Sequence, residues 1–253
     1  MGPDGARPAL PGLLSAPPVN SGVGRAAWES AENAEEQAVE LVSVNVGMPR
    51  DVEWHGRPIR TSIWKSPVEG HVTVTSLNLE GDQQSDLSVH GGEEKAVYVY
   101  PSEHYEYWGR ELPKQDLPWG AFGENLTTAG LLEPDVRIGD RIRIGSAEFL
   151  VTQPRMPCFK LGVRFGRDDM VKRFLQSGRT GFYLAVLREG EVARGNQIEL
   201  IARDDRGVTV ADIVTLFAHD KNNEALLRRA VDLPALPESW RSYFRKQLFE
   251  PDA

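Results

Sequence analysis

The sequence is poor in cysteine, in basic charge and in long apolar runs, and each shortage excludes a class of protein. A single cysteine in 253 residues excludes an internal disulfide and an iron–sulfur cluster with four thiolates from one chain, and it fits a reducing cytoplasm. Lys and Arg total 29 against 37 Asp and Glu, a formal charge of -8. This balance argues against a binder of nucleic-acid polymers, because phosphate backbones require clustered cations.

Membrane and nucleotide signals are also missing. No apolar run approaches the ~20 residues that a membrane-spanning helix needs. The start, MGPDGARPALPGLLSAPP, lacks the basic stretch followed by an apolar stretch that marks a signal peptide. There is no P-loop and no GxGxxG fingerprint. We therefore expect a cytoplasmic protein with no membrane span.

Composition divides the chain into three predicted parts. Residues 1–38 are rich in Gly, Pro, Ala and Ser and then turn acidic, which predicts a disordered tail. Residues 39–203 consist mostly of short alternating or β-branched runs separated by glycine-rich turns, which predicts a sandwich or barrel-like β domain. Residues 204–253 change to helical spacing, which predicts three short helices packed on the β domain.

Individual elements follow from the same patterns. Strands are predicted over 39–47, 57–65, 71–78 and 95–100, and helices over 101–112 and 167–178. Residues 140–153 alternate and turn at Gly145-Ser146, a hairpin signal, and residues 180–203 predict a second hairpin that turns near Glu189-Gly190. Thr209 and Asp212 form a capping box at the start of the first C-terminal helix.

The stretch QPRMPCFKLGVRFG (153–166) holds Cys158 after two prolines, Pro154 and Pro157. Six cations against two carboxylates lie between residues 154 and 173, namely Arg155, Lys160, Arg164, Arg167, Lys172 and Arg173 against Asp168 and Asp169. Positive neighbours favour a thiolate, which is a nucleophile and a ligand for soft metals. A lone cysteine is also commonly a small buried hydrophobe, so the segment alone leaves both readings open.

Three other segments carry candidate binding groups. His90-Gly91-Gly92 places an imidazole beside backbone that a ligand can approach closely, although such a loop is commonly a plain turn. GAFGENL (120–126) offers Glu124 and Asn125 just before a strand, and it also fits an ordinary hairpin loop. RTSIWK (60–65) mixes hydroxyls and cations, which suits a phosphate and equally an exposed strand edge.

Together and in this order, the TSIWK, HGG, GENL and PRMPCFKL runs resemble the MOSC-domain family (molybdenum cofactor sulfurase C-terminal domain), and within it the YiiM subgroup. The resemblance covers about residues 40–203, and the trailing helices are similar to the three-helix appendage of that subgroup. It implies a mainly β fold, a strongly bent barrel-like domain with a small three-helix appendage. It also implies that the protein binds the molybdenum cofactor and reduces N-hydroxylated compounds, such as hydroxylaminopurine-type base analogues, to amines.

The resemblance also suggests roles for single residues. Cys158 corresponds to the thiolate proposed as the molybdenum ligand. Glu124 is expected to relay a proton to the leaving oxygen, and His90 to assist in catalysis or to contact the pterin. The remaining residues expected to bind the cofactor are Thr61, Ser62 and Lys65 at its phosphate, Gly123 and Asn125 at its ring edges, and Arg155 near the metal.

Other functions remain open at this stage. The reductase would need a small-molecule N-hydroxylated substrate and an external electron-donor reductase, because the sequence shows neither a nucleotide fingerprint nor cluster ligands. In a second hypothesis the protein is a non-redox sulfur or cofactor carrier, and Cys158 carries a persulfide. In a hydrolase, Cys158 and His90 would form a nucleophile–base pair. A homodimer is possible, and the appendage is a candidate surface for it.

Overall fold

A computed structural model describes residues 39–85 and 91–249. The predicted tail at 1–38 and the imidazole of His90 lie outside these ranges. The strands are β1 (Glu40–Val46), β2 (Arg50–Trp54), β3 (Arg57–Thr61), β4 (Ser66–Val68), β5 (Val72–Val74), β6 (Val97–Pro101), β7 (Leu126–Ala129), β8 (Arg141–Ile144), β9 (Ala147–Pro154), β10 (Phe182–Arg188), β11 (Gly190–Val192) and β12 (Ile198–Ala202). The helices are α1 (Glu103–Glu111), α2 (Phe159–Phe165), α3 (Met170–Ser177), α4 (Val210–Ala218), α5 (Glu224–Val231) and α6 (Glu238–Phe249), with a 3₁₀ turn at Glu93–Lys95.

Eight strands form one sheet in the order β12-β8-β9-β10-β6-β7-β1-β4. The pair β6–β7 is parallel and the other neighbouring pairs in this sheet are antiparallel. The sheet bends until the chain entering β12 meets the start of β1, where the Ile198 N–H donates to the Val39 carbonyl at 2.8 Å. This seam is a few hydrogen bonds rather than a ladder, so the barrel is not closed. A mainly β, bent and barrel-like fold is therefore confirmed.

The turn at Gly145-Ser146 joins β8 and β9 as the sequence predicts, with Ile144 paired to Ala147. Gly145 has a φ of 57°, and a Cβ there would lie 2.3 Å from the Glu191 carbonyl oxygen. Glycine is required at this position both for the left-handed backbone and for the close approach of a second chain segment.

The predicted second hairpin over residues 180–203 is wrong. The strand before the predicted turn, β10, pairs with β6 and β9, whereas the strands after it pair elsewhere, β11 with β5 and β12 with β8. The chain leaves β10 at Glu189 and lies on the β8–β9 turn, where the Glu191 N–H donates to Ser146 Oγ at 2.8 Å. Alternation identified the strands, but it carries no information about which edge each strand joins.

The three C-terminal helices share the core of the β domain. In α4, Thr209 Oγ1 accepts from the Asp212 N–H at 3.0 Å and the Asp212 carboxylate accepts from the Thr209 N–H at 2.9 Å, which confirms the capping box. Ile213, Trp240 and Phe244 are buried in the same hydrophobic cluster as the barrel residues. Truncating such an aromatic side chain to alanine costs about 3–5 kcal/mol, so the helices and the sheet stabilise each other.

A second, aromatic cluster packs beside the first, between β6, α1, α3 and the loop before β7. Its fully buried side chains include Tyr100, Trp108, Phe122 and Phe174. The Trp108 indole N–H donates to the Tyr100 hydroxyl at 2.7 Å, which satisfies the polar atoms of both residues inside an apolar region. This rigid cluster supports the strand ends that form the site described next.

Candidate functional site

A cleft lies where the ends of β3, β6 and β9 approach the loop before β7. Segments far apart in the sequence meet here. Of the residues predicted to act in a site, the following line the cleft together: Thr61, Ser62, Lys65, Gly123, Asn125, Arg155 and Cys158.

Cys158 lies between the end of β9 and the start of α2. It is the residue preceding the helix, in extended conformation with φ −114° and ψ 172°, and its carbonyl accepts from the Leu161 N–H at 2.9 Å. The short helix that follows was not predicted from the sequence, where two prolines precede Cys158. The thiol is partly exposed in the cleft, so this cysteine is not sealed in hydrocarbon.

Arg155 is the buried cation of the cleft, with 6% of its surface exposed. Its guanidinium lies 5.2 Å from the Tyr98 ring centroid and 5.3 Å from that of Phe174. Burial by itself lowers the pKa of Arg155, but the charges of the tyrosines and of Cys158 outweigh it and leave the pKa raised. Arg155 Nη1 is buried and has no hydrogen-bond partner among the described residues.

Lys65 and Asp82 form a buried ion pair at the cleft wall. The Lys65 ammonium lies 2.5 Å from the Asp82 carboxylate, and their side chains are 8% and 1% exposed. Asp82 also accepts from the Gly47 N–H at 2.8 Å and from Asn125 Nδ2 at 2.9 Å. Burial lowers the pKa of Lys65 below its ordinary value, and Asp82 and Glu124 offset this only in part.

The hydroxyls of β3 and the residue after it face the same space. Thr61 is fully buried and its Oγ1 accepts from the Ile63 N–H at 3.2 Å. Ser62 Oγ is buried without a hydrogen-bond partner in the described part of the chain. Opposite, Gly123 has a φ of 82°, and a Cβ there would lie 2.9 Å from Ile63, so the close approach of the two segments requires glycine.

Glu124, predicted as a proton relay, does not line the cleft that the described residues form. Its fully buried carboxylate accepts hydrogen bonds from the Tyr105 hydroxyl, from Thr127 Oγ1 at 3.0 Å, and from the N–H groups of Gly120 at 2.8 Å and Phe122 at 3.1 Å. Burial raises the pKa of Glu124, against the effect of these donors. The geometry therefore favours a structural role in holding the loop before β7 over contact with a substrate.

The cleft has further residues that were not predicted as site residues, although Lys160 was counted among the cations around Cys158. Lys160 is 8% exposed and its ammonium lies 3.4 Å from Ser85 Oγ, and the rings of Tyr98 and Tyr183 lie 5.4 Å apart across neighbouring strands. Lys160 follows Cys158 by two residues, which was an available signal. In the sequence, Tyr98 and Tyr183 are ordinary residues of alternating strands, so no local pattern identifies them as site residues. With Lys65, Lys95, Arg155 and Lys160 against Asp82, the wall is net cationic.

A second buried ion pair supports the strand beside the cleft. His104 Nε2 lies 2.8 Å from the Glu133 carboxylate, which also accepts from the Gly181 N–H at 2.7 Å. The Arg155 N–H in turn donates to the Gly181 carbonyl at 3.2 Å. Burial alone would raise the pKa of Glu133, but His104 and the Gly181 N–H outweigh it and hold the pKa below its usual 4.5.

Because the pKa of Glu133 is lowered by folding, its ionised form stabilises the protein at neutral pH, and this contribution fades as the pH falls below 4.5. We expect Glu133→Gln to lower the free energy of unfolding by about 3 kcal/mol at pH 7. This gap in unfolding free energy between wild type and variant should narrow steadily as the pH falls. Urea unfolding of both proteins at several pH values measures this. A gap that stays constant down to pH ~3 would contradict the assignment.

Comparison with known proteins agrees with this architecture. The profile of the MOSC domain matches residues 86–199, and that of the YiiM-like, 3-alpha helix domain matches residues 208–248. YflK of Bacillus subtilis (strain 168) is 44% identical over 207 residues, which are 82% of this chain and 93% of that protein. The chain belongs to the MOSC domain family. Within the family it is YiiM-like, as the sequence motifs suggested.

Other relatives of this MOSC protein agree on the fold and introduce an activity. The crystal structure of YiiM from Geobacillus stearothermophilus superposes with a TM-score of 0.70 at 37% identity, covering 83% of this chain and 99% of that one. A protein of Gibberella moniliformis (strain M3125 / FGSC 7600) named "Reductase" is 35% identical over 71% of this chain. The match covers 32% of that longer protein.

Two features are absent from residues 39–85 and 91–249. No helix among them is long and apolar enough to cross a membrane. No group of three or more His, Cys, Asp or Glu side chains among them could hold a metal ion. Cys158 is the one cysteine of the sequence.

Proposed function

We propose that this MOSC protein is a molybdenum-cofactor-binding oxidoreductase that reduces small N-hydroxylated compounds to amines, hydroxylaminopurine-type bases among them. Membership of the MOSC family and the fungal relative named "Reductase" support a redox activity. The single observation that carries the proposal is the meeting of a partly exposed thiol with unpaired, buried donors in one cation-lined cleft.

The residues fit such a cofactor. Ser62 Oγ and Arg155 Nη1 are buried polar atoms of the cleft without partners in the described structure, and leaving such atoms unpaired costs about 1–3 kcal/mol each. A phosphate-bearing, anionic pterin offers acceptor oxygens for both. Arg155 and Lys160 supply positive charge on the same side as the thiol, so an anion that brings a soft metal is matched in charge and in ligand type.

In this proposal Cys158 would hold the molybdenum, with Thr61, Ser62, Lys65 and Arg155 on the anionic groups and Gly123 and Asn125 along the pterin edge. Bound there, the cofactor supplies the two-electron chemistry that no side chain can perform. Lys65 keeps its position because Asp82 binds its ammonium. Tyr98 and Tyr183 present aromatic rings to the cleft, which suits a flat pterin or purine.

The overall reaction consumes two electrons and two protons. The N–O bond breaks, the hydroxyl leaves as water, and the nitrogen gains a hydrogen, so that R–NH–OH becomes R–NH₂. The electrons come from an external reductase partner. Since Glu124 is enclosed, the proton donor has to come from the residues that line the cleft, which include the Tyr183 hydroxyl and the ammonium of Lys160.

The decisive test is an assay of protein produced in a host that makes the cofactor. We expect stoichiometric molybdenum by metal analysis, pterin fluorescence, and turnover of a hydroxylaminopurine with an artificial electron donor. Fully metallated protein that fails to turn over any N-hydroxylated compound would rule out the activity while leaving cofactor binding intact.

Arg155→Met is predicted to lower molybdenum occupancy by about 10- to 100-fold, because it removes a buried cation from the cleft while keeping its apolar stem. The matched control is Arg143→Met on β8, where the arginine is 39% exposed and pairs with Glu148 and Glu199 away from the cleft. Metal analysis at equal protein concentration compares the two. Equal occupancy in both variants would remove Arg155 from the binding site.

The second candidate is a non-redox carrier in which Cys158 holds a persulfide. The partial exposure of Cys158 favours it, because a transferred sulfur must be reachable from solvent or from a partner. Cyanide-releasable sulfur on metal-free protein, lost in Cys158→Ala, is the expected signature. Absence of this releasable sulfur, together with stoichiometric molybdenum, would exclude the carrier and support the oxidoreductase.

A further inference from the structure

A row of paired side chains on three neighbouring strands begins in the cleft and continues beyond it. Tyr98 of β6 pairs with Tyr183 of β10, and Tyr183 pairs with Gln153 of β9. Directly paired residues lie side by side on the same face of a sheet. Tyr98 and Tyr183 line the cleft, so Gln153 is the next member of their row, two residues before Arg155.

Gln153 also reaches the opposite wall. Its Nε2 lies 3.4 Å from the Glu94 carbonyl, which accepts in addition from Thr152 Oγ1 at 2.7 Å. Glu94 precedes Lys95, a cleft residue whose carbonyl accepts from Gln84 Nε2 at 3.2 Å. The amide of Gln153 therefore links the strand that carries Arg155 to the turn that carries Lys95.

The remaining hydrogen bond of this amide comes from the C-terminal helices. Trp240 of α6 is 9% exposed, and its indole N–H donates to Gln153 Oε1 at 2.8 Å in a buried setting. The indole is fixed by Phe217 of α4, at 5.4 Å between ring centroids, and by Phe244, at 5.6 Å. A buried amide oxygen has few ways to replace this donor, so its orientation depends on α6.

We infer that Trp240 is a positioning residue through which the three-helix unit holds the cleft in its binding-competent shape, by fixing Gln153 between the Arg155 strand and the Lys95 turn. The effect on cofactor loading rests on the proposed function. The effect on the cleft itself does not, because the contacts from Trp240 to Gln153 and from Gln153 to the Glu94 carbonyl are made by the protein alone.

The test measures amide hydrogen exchange in cofactor-free protein. The probe is the Lys95 N–H, which donates to the Gly92 carbonyl at 3.0 Å in the turn that Gln153 contacts. In Trp240→Phe, Gln153 is held less firmly against this turn, and we expect the Lys95 amide to exchange about tenfold faster. Gln153→Met should accelerate this exchange to the same extent, and the double variant no more than either single one.

Phe244→Leu is the matched control, because it lies on the same helix in the same core and its side chain has no hydrogen-bonding group for Gln153. It is expected to lower the melting temperature as Trp240→Phe does while leaving the exchange of the Lys95 amide unchanged. An exchange rate in folded Trp240→Phe that coincides with wild type would overturn the inference. Loss of turnover with normal exchange of the Lys95 amide would instead count against the proposed activity, so the two failures are distinguishable.

Discussion

Cys158→Ser is expected to abolish molybdenum retention and to leave the fold intact. Loss of an outer partner of a metal site costs 10- to 100-fold in affinity, so loss of the ligand itself should lower occupancy by about 100-fold or more. The thiol is partly exposed and caps no helix through its side chain, so the change in the free energy of unfolding should stay within about 1 kcal/mol. Metal analysis and pterin fluorescence of protein purified from the same host measure the loss.

The control for this result is Phe159→Ala. Phe159 adjoins Cys158 and is 53% exposed, so truncating it perturbs the same short segment without touching the thiolate. We expect it to keep most of the molybdenum. If Phe159→Ala loses as much metal as Cys158→Ser, or if Cys158→Ser keeps its metal, then the thiolate is not the ligand and the carrier reading gains support.

Asp82→Asn is expected to give the second large effect, on stability. It keeps an acceptor for the Gly47 N–H but leaves the Lys65 ammonium buried without a counter-charge. Breaking a buried pair on one side costs about 3–5 kcal/mol, which corresponds to a fall in melting temperature of about 10 °C for a domain of this size. Thermal and urea unfolding at pH 7 measure it directly.

The pH dependence of this variant follows from the lowered pKa of Lys65. In wild type, burial lowers that pKa and Asp82 raises it again in part. Without the carboxylate, the pKa of Lys65 in the folded state falls further below its value in the unfolded state. The unfolded state then binds more protons than the folded state, so the free energy of unfolding rises with pH. Asp82→Asn should therefore recover stability between pH 7 and 10, and a flat profile over that range would contradict the assignment.

Lys65→Met combined with Asp82→Asn separates stability from binding. Removing both charges eliminates the uncompensated ammonium, so the double variant should be more stable than Asp82→Asn alone and should lose its excess pH dependence. It still lacks a cation of the proposed phosphate site. We expect it to fold well and to load molybdenum poorly, whereas a merely structural ion pair would leave loading unaffected.

Local sequence was sufficient wherever a short segment decides its own conformation. The turn at Gly145-Ser146 needs left-handed backbone, and the Thr209–Asp212 box closes within one helical turn, so both could be predicted and both are confirmed. The segment after Pro157 could not be read in this way, because α2 has only seven residues and no cap that a side chain completes.

The pairing of the strands was decided by tertiary structure. Residues 180–203 alternate as a hairpin would. However, β11 pairs with β5 and β12 pairs with β8, because these two strands from elsewhere in the chain provide the free edges.

The role of Glu124 was also decided by tertiary structure. A carboxylate in a glycine-rich loop fits catalysis and anchoring equally well until its four donors, which come from the loop itself, α1 and β7, are placed around it.

The sequence by itself determined the mainly β class, the helical C-terminal unit and the segments that supply a thiol, hydroxyls and cations. Tertiary structure alone decided that these segments meet in one cleft, that Asp82 holds Lys65 there, and that Trp240 reaches Gln153 behind it. The reason is physical. Propensity and periodicity act within a few residues, whereas pairing of buried charges and amides depends on distances between segments that no local pattern encodes.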